Sequence, residues 1–329
     1  MKRITLLTNP DVCNLRCPLC FLSQRALLNC DAPNAGGGRR DCLLDSGRDR
    51  DSGRERFSNC NKECFSNYNV ERRAFGMGEM PFEIARAAIE KYAAERDASG
   101  KRLLREVIPS TMGEPLLYSH FDELLELCKS LEIPLNLTMN GTFPGKWGSE
   151  DAMELLLRSC RDIKVSYLAS EQFDGWKANV EKLVQVRDKL CENARCATAS
   201  LQVTLHKKNL HEVPELVSWA SAIGIDRIKW NKVVLLNGTP QEFRETYALD
   251  DALLETLRKD LRAGVLSASC VKHEGSLFFN NSANRCAVGG TCESCPFVDE
   301  VWVWPDGHED HCPDPERRYG NKKAECSSI

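Results

Sequence analysis

Short apolar runs alternate with amphipathic stretches through most of this chain, and that alternation limits its fold more than any other feature. Lys2–Thr8, Leu104–Pro109, Pro134–Met139, Ile163–Leu168, Ala199–Leu205 and Asp226–Val234 read as strands. Phe82–Glu95, Phe121–Leu131, Asp151–Ser159, Trp176–Leu190, Val213–Ile223 and Ala252–Ala263 carry apolar residues at helical spacing. Parallel strands joined through helices of this length use right-handed crossovers. The six strand–helix units are too few for a closed eight-unit barrel. The expected fold class is therefore α/β, an open partial (β/α)6 barrel. A length of 329 residues suits one large domain with a small appendage.

The alternation fails in two places. Residues 30–71 include Gly36-Gly37-Gly38-Arg39-Arg40 and a run of Ser, Gly, Arg and Asp at 46–54, without period 2 or 3.6. Such a segment cannot bury enough apolar area to offset ordering, so a disordered insertion is expected there. The last sixty or so residues are cysteine-rich instead. The expected division is a core at 1–265, carrying the insertion, and an extension at 266–329.

Seventeen cysteines are many for a reducing compartment and too sparse for a small disulfide scaffold. Clustered thiols in such a chain point to metal. Cys13, Cys17 and Cys20 follow the first strand with Cys-x3-Cys-x2-Cys spacing. A structural zinc site wants four closed ligands, and the nearest histidine in sequence is His120. Three thiolates on a 4Fe–4S cubane leave one iron without a protein ligand.

This triplet, after the first strand of a βα-repeat chain, resembles the radical SAM superfamily. The resemblance implies a reduced 4Fe–4S cluster on Cys13, Cys17 and Cys20 that chelates S-adenosylmethionine and cleaves it to methionine and a 5′-deoxyadenosyl radical, which abstracts a substrate hydrogen. The residue before the third cysteine, usually aromatic in that family, is Leu19 here, and Phe21 follows it. Thr111-Met112-Gly113-Glu114-Pro115 ends the second strand where the family has its GGEP motif, with Met112 in place of the first Gly. By that resemblance Met112, Gly113, Glu114 and Pro115 contact the methionine moiety, through backbone carbonyls and the acid. Thr138-Met139-Asn140-Gly141 resembles the family's turn after the third strand, which implies a cofactor contact at Asn140, and Ser166 ends the fourth strand at the family's ribose-binding position. Gln202, Thr204, His206, Trp230 and Asn231 are further candidates to face the cavity, with plain core or surface as the alternative for each.

The tail holds Cys270, Cys286, Cys292, Cys295, Cys312 and Cys326. Asp306-Gly307 after an apolar run signals a β-hairpin carrying Cys312. Cys292-x14-Gly307-x4-Cys312 resembles the start of the family's SPASM and twitch extensions. It implies one auxiliary 4Fe–4S cluster on Cys292, Cys295 and Cys312, with Cys286 as fourth ligand and Cys326 as the alternative. A zinc ribbon on the same thiolates is the competing reading. Cys128, Cys160, Cys191 and Cys196 are expected to be packed small hydrophobes.

The implied activity is a radical S-adenosylmethionine enzyme acting on a peptide or peptide-like substrate, as a maturase of ribosomal peptides or proteins. A small-molecule dehydrogenase or a cofactor or natural-product biosynthesis enzyme is the alternative. A non-enzymatic zinc or iron–sulfur scaffold is more remote. The partners implied are S-adenosylmethionine, an electron donor such as flavodoxin or ferredoxin, and a precursor peptide. A net charge of −4 gives no global pull toward nucleic acid. No apolar run of some 18 residues spans a membrane. The N-terminus lacks the roughly 7–15 apolar residues of a secretory signal, so a cytoplasmic location is expected.

Overall fold

The computed structural model describes residues 2–30, 76–109, 112–168, 175–191, 197–264, 271–278, 299–312 and 315–319. Of the insertion expected at 30–71, Cys30 ends a helix and residues 31–71 lie outside the described ones, as do Cys196, Cys270, Cys286, Cys292, Cys295 and Cys326.

The chain begins with β1 (Lys2–Leu6), the cysteine loop and α1 (Phe21–Cys30). It resumes with α2 (Phe82–Ala94), β2 (Leu104–Pro109), α3 (Phe121–Ser130), β3 (Leu135–Met139), α4 (Glu150–Ser159) and β4 (Cys160–Tyr167). Then follow α5 (Trp176–Cys191), β5 (Thr198–Leu205), α6 (Val213–Ile223), β6 (Arg227–Lys232), α7 (Gln241–Tyr247) and α8 (Asp251–Arg262). The tail contributes β7 (Lys272–Glu274), β8 (Glu300–Val303), β9 (Glu309–Asp310) and α9 (Pro315–Tyr319). Among the described residues the strands form one sheet in the order β7-β6-β5-β4-β3-β2-β1-β8-β9. Every pair is parallel except the β8–β9 hairpin, which turns through Asp306-Gly307 as expected. β7 and β8, both from the tail, add to opposite ends of the core sheet, against β6 and β1.

The two faces of the sheet differ sharply. Ile4, Leu6, Val107, Leu135, Leu137, Met139, Ile163, Val165, Leu201, Val203, Leu205, Ile228 and Trp230 are buried on one face in a single core with α2–α6 and α8. Each such side chain contributes about 1.5–3 kcal/mol of burial. The opposite face, set by the period of two, carries Glu106, Asn136, Thr138, Asp162, Lys164, Ser166, Ser200, Gln202, Thr204, Arg227, Lys229 and Asn231. The register places Thr138 beside Lys164, Lys164 beside Ser200, Ser166 beside Gln202, Gln202 beside Lys229 and Thr204 beside Asn231.

Charges on the lower part of this polar face are paired, as buried charges must be. Asp162 accepts from Thr198 Oγ1 at 2.8 Å and Ser200 Oγ at 2.6 Å. Its other oxygen lies 3.7 Å from Lys164 Nζ and 3.5 Å from Lys229 Nζ. Lys164 also donates to Asn136 Oδ1, and Asn136 Nδ2 donates to Glu106 Oε1 at 3.1 Å. Burial pulls the Lys164 ammonium down to about 8, against the neighbouring Asp162 carboxylate.

β4 starts at Cys160, three residues before the expected strand. Arg161 and Asp162 look like loop residues in the sequence, but they are strand residues whose charges find partners across the sheet. Cys128 and Cys160 are buried as expected; Cys191 departs from that expectation, being exposed at the end of α5 and disulfide-bonded.

Candidate functional site

The chain leaves β1 through Leu7, Thr8 and Asn9, all fully buried. Asn9 makes the corner: its carbonyl accepts Val12 N at 3.0 Å, and its Nδ2 donates to Glu114 O at 2.7 Å. The loop beyond carries Cys13, Cys17 and Cys20, all half-buried. It ends where Gln24 N donates to Cys20 O at 2.9 Å in the first turn of α1.

Two glycines shape the next strand ends, and the first lets its strand end reach this loop. Gly113, after β2, has φ +75°, and a Cβ there would lie 2.1 Å from Asn9 O and 2.7 Å from Val12 O. Only glycine supplies both the left-handed backbone and the clearance. The approach lets Glu114 N donate to Val12 O at 2.8 Å. Gly141, after β3, has φ +82°, and a Cβ there would meet Val165 Cγ1 at 2.7 Å and Trp176 Nε1 at 2.8 Å.

Asn140 joins the three loops. Its backbone N donates to Glu114 Oε2 at 2.8 Å, and its Nδ2 donates to Asn14 Oδ1 at 2.8 Å while lying 3.7 Å from Cys13 Sγ. Thr142 fixes the Asn140 side chain by donating from N and Oγ1 to Oδ1 at 2.9 and 2.7 Å. Asn14 Nδ2 donates in turn to Thr142 Oγ1 at 2.9 Å.

Glu114 is 1% exposed, and its two oxygens accept the amides of Asn140 and Leu116, the latter at 3.3 Å. The carboxylate therefore ties the second strand end to the third. Burial raises it from 4.5 to about 7, against those two amides. The unfolded chain loses this proton near 4.5 and the folded one near 7, so the group's contribution to stability falls as pH rises through that window. The loss is at most about 1.4 kcal/mol per pH unit. Thermal unfolding of the metal-free chain is accordingly expected to show the margin of wild type over Glu114→Gln narrowing from pH 5 to pH 7.5; a margin that widens contradicts the buried neutral acid.

Met112 and Pro115 are buried, while Gly113, Asn140 and Ser166 are half-buried. Thr111 lies outside the described residues. Met112 packs in a cluster of its own with Leu7, Leu28, Leu236, Trp304 and Tyr319. Ser166 O accepts Trp176 Nε1 at 3.2 Å. Of the weaker candidates, Gln202, Thr204 and Asn231 lie on the polar face. Trp230 is fully buried on the apolar face, and His206 is buried with its Nε2 2.7 Å from Leu168 O. Cys312 sits half-buried just after the hairpin, its amide donating to Asp310 Oδ1 at 3.1 Å.

The donor set of the first loop suits an iron–sulfur cluster. Burial, then the neighbouring sulfurs of Cys20 and Cys13, push the Cys17 thiol up to about 12. A cationic centre bound to all three relieves that repulsion. Leu15 N at 3.4 Å and Asn140 Nδ2 give Cys13 Sγ the N–H donors that tune thiolate ligands. Among the described residues no three Cys, His, Asp or Glu side chains close on a single ion. A cubane spreads its ligands more widely than one zinc does, and His120 instead lies beside Glu123 on α3. Asn9, Asn14 and Thr142 were not singled out in the sequence. An Asn ending a strand and another inside the cysteine triplet are the only traces they leave there.

No protein-family model matches this sequence, and no curated protein does. Solved structures do. SuiB of Streptococcus suis bound to its precursor peptide SuiA is similar at TM-score 0.55 and 16% identity, over 97% of this chain and 61% of SuiB. The S-adenosylmethionine complex of SuiB gives TM-score 0.52 at 14% identity, over 94% of this chain and 60% of SuiB. anSMEcpe with bound AdoMet gives TM-score 0.56 at 13% identity, over 94% of this chain and 74% of that one. The chain thus spans about three fifths of SuiB's length. At such identities the likeness defines the fold, the α/β partial barrel of the radical SAM type with its parallel sheet. The helices of this chain pack on the apolar face of the sheet, so its polar face lines the inside of the partial barrel. Among the described residues no helix is long and apolar enough to cross a membrane.

Proposed function

We propose that this protein is a radical S-adenosylmethionine enzyme that abstracts hydrogen from a peptide or peptide-like substrate. One observation carries the reading: the Cys13–Cys20 loop, the Gly113-Glu114 corner and Asn140 are bound together at the ends of three adjacent strands. Cys13, Cys17 and Cys20 would hold a 4Fe–4S cluster, whose open iron supplies reductive cleavage of S-adenosylmethionine when both are bound. Gly113 brings its backbone to the cysteine loop, Asn140 orients the loop and donates toward Cys13 Sγ, and Glu114 braces the two strand ends from behind. Ser166, half-buried at the next strand end, is positioned for the ribose.

The lumen supports the substrate reading. Beside and beyond the paired charges, its lining includes the neutral, hydrogen-bonding side chains of Thr138, Ser166, Gln202, Thr204 and Asn231. Such a wall suits amide and hydroxyl groups better than an apolar or a highly charged substrate. The precursor peptide of SuiB and the S-adenosylmethionine bound by both neighbours point the same way. An external one-electron donor of the flavodoxin or ferredoxin kind completes the reaction.

We assign Cys312, with Cys292, Cys295 and either Cys286 or Cys326, to one auxiliary 4Fe–4S cluster. Anaerobically reconstituted protein is then expected to contain about eight irons per chain, the sum of two cubanes. Its reduced EPR spectrum should change when S-adenosylmethionine is added. About four irons with one zinc would assign the tail to a zinc ribbon. A spectrum indifferent to S-adenosylmethionine would remove the enzymatic reading.

A further inference from the structure

We propose that Gln24 is a positioning residue that fixes the Leu19–Cys20 corner of the cysteine loop by clamping it to the chain leaving β6. The proposal rests on the reading of Cys13, Cys17 and Cys20 as cluster ligands. Gln24 stands in the first turn of α1, four residues after Cys20, and is fully buried. Its Nε2 donates to Leu19 O at 2.9 Å and to Val234 O at 3.0 Å, and its Oε1 accepts Leu236 N at 2.9 Å.

All three partners are backbone groups: two carbonyls facing an NH2 and one amide facing a carbonyl oxygen. Only a carboxamide offers that set, since a carboxylate has no donor and a thioether offers no N–H. The geometry of the link is what gives it a role. Residues 234–236 follow β6 and the cysteine loop follows β1, yet four strands separate β6 from β1 in the sheet. A side chain joining the two spans the mouth of the open barrel at the end where the cysteines lie. Leu28, one turn further along α1, packs with Leu236 and Met112 on the same side. Gln24 therefore couples the third cysteine to the far edge of the core sheet, and the cysteine loop holds its shape only while that coupling is made.

The test uses anaerobically reconstituted full-length protein. A chelator is added in excess well below the unfolding temperature, and loss of the S-adenosylmethionine-responsive EPR signal is timed. Gln24→Met keeps volume and removes all three hydrogen bonds. Gln24→Glu keeps shape and the acceptor but loses both donors. Each is expected to lose the signal at least tenfold faster than wild type, and whichever variant folds suffices. Leu28→Ala trims the same buried side of α1 without touching the loop, so it should lower Tm and leave the rate unchanged. A wild-type rate in the Gln24 variants, or an equal acceleration in Leu28→Ala, overturns the positioning role alone. A wild-type protein that assembles no such signal overturns the cysteine reading and this role with it.

Discussion

Changing Cys13, Cys17 and Cys20 together to Ala is expected to abolish 5′-deoxyadenosine formation while leaving the fold in place. The three thiols are half-buried, lie in a loop and contribute nothing to the main core. Their removal creates no cavity under the sheet, so Tm of the metal-free chain should change little. The effect on chemistry is total because no other described side chains offer three thiols at one strand end. The variant should retain the tail's irons, about four per chain. Chromatographic assay of 5′-deoxyadenosine, beside iron analysis and circular dichroism, checks all three points. Undiminished cleavage in a well-folded variant would contradict the assignment.

Gly113→Ala should have the largest effect of any single methyl group added to this site. The atoms its Cβ would meet, at 2.1 and 2.7 Å, are backbone oxygens of the turn that starts the cysteine loop. They cannot swing aside as a side chain can. The left-handed backbone adds strain of about 1–3 kcal/mol, and the overlap adds about 1–3 kcal/mol more. A destabilisation of about 2–6 kcal/mol is expected by denaturant unfolding of the metal-free chain. Any folded fraction should lose its EPR response to S-adenosylmethionine, because the Glu114–Val12 and Asn9–Glu114 bonds cannot both survive the shift. Gly100 is the control. It has φ +79° with nothing within 4 Å of its missing Cβ, so Gly100→Ala should show backbone strain alone, about 1–2 kcal/mol. Equal effects at the two positions would show that the close approach at Gly113 has no special weight.

Much of this was legible in the sequence, for identifiable reasons. β2 and α6 have the expected limits because Pro109 closes the first and Gly224, with φ +87°, ends the apolar stripe of the second. The cysteine spacing and the Gly113-Glu114-Pro115 corner could be read because their chemistry depends on residue type at fixed intervals. What could not be read depends on strands meeting. Arg161 and Asp162 look like loop until Lys164 on their own strand, and Glu106 and Lys229 on others, supply their partners. β7 and β8 are too short to announce the strands they pair with. Gln24 resembles any helical glutamine until Val234 and Leu236 come to it from the other end of the sheet. Asn140 stands in the sequence as a cofactor-contact candidate in a turn, but its bonds to Asn14, Glu114 and Cys13 exist only once three strand ends lie side by side.

The most direct test of the account is to incubate anaerobically reconstituted wild-type protein with S-adenosylmethionine and a strong reductant, and to quantify the products. The account predicts 5′-deoxyadenosine and methionine in equal amounts, formed only when iron, reductant and S-adenosylmethionine are all present. A protein that carries its full iron complement, is reduced, and leaves S-adenosylmethionine intact would contradict it.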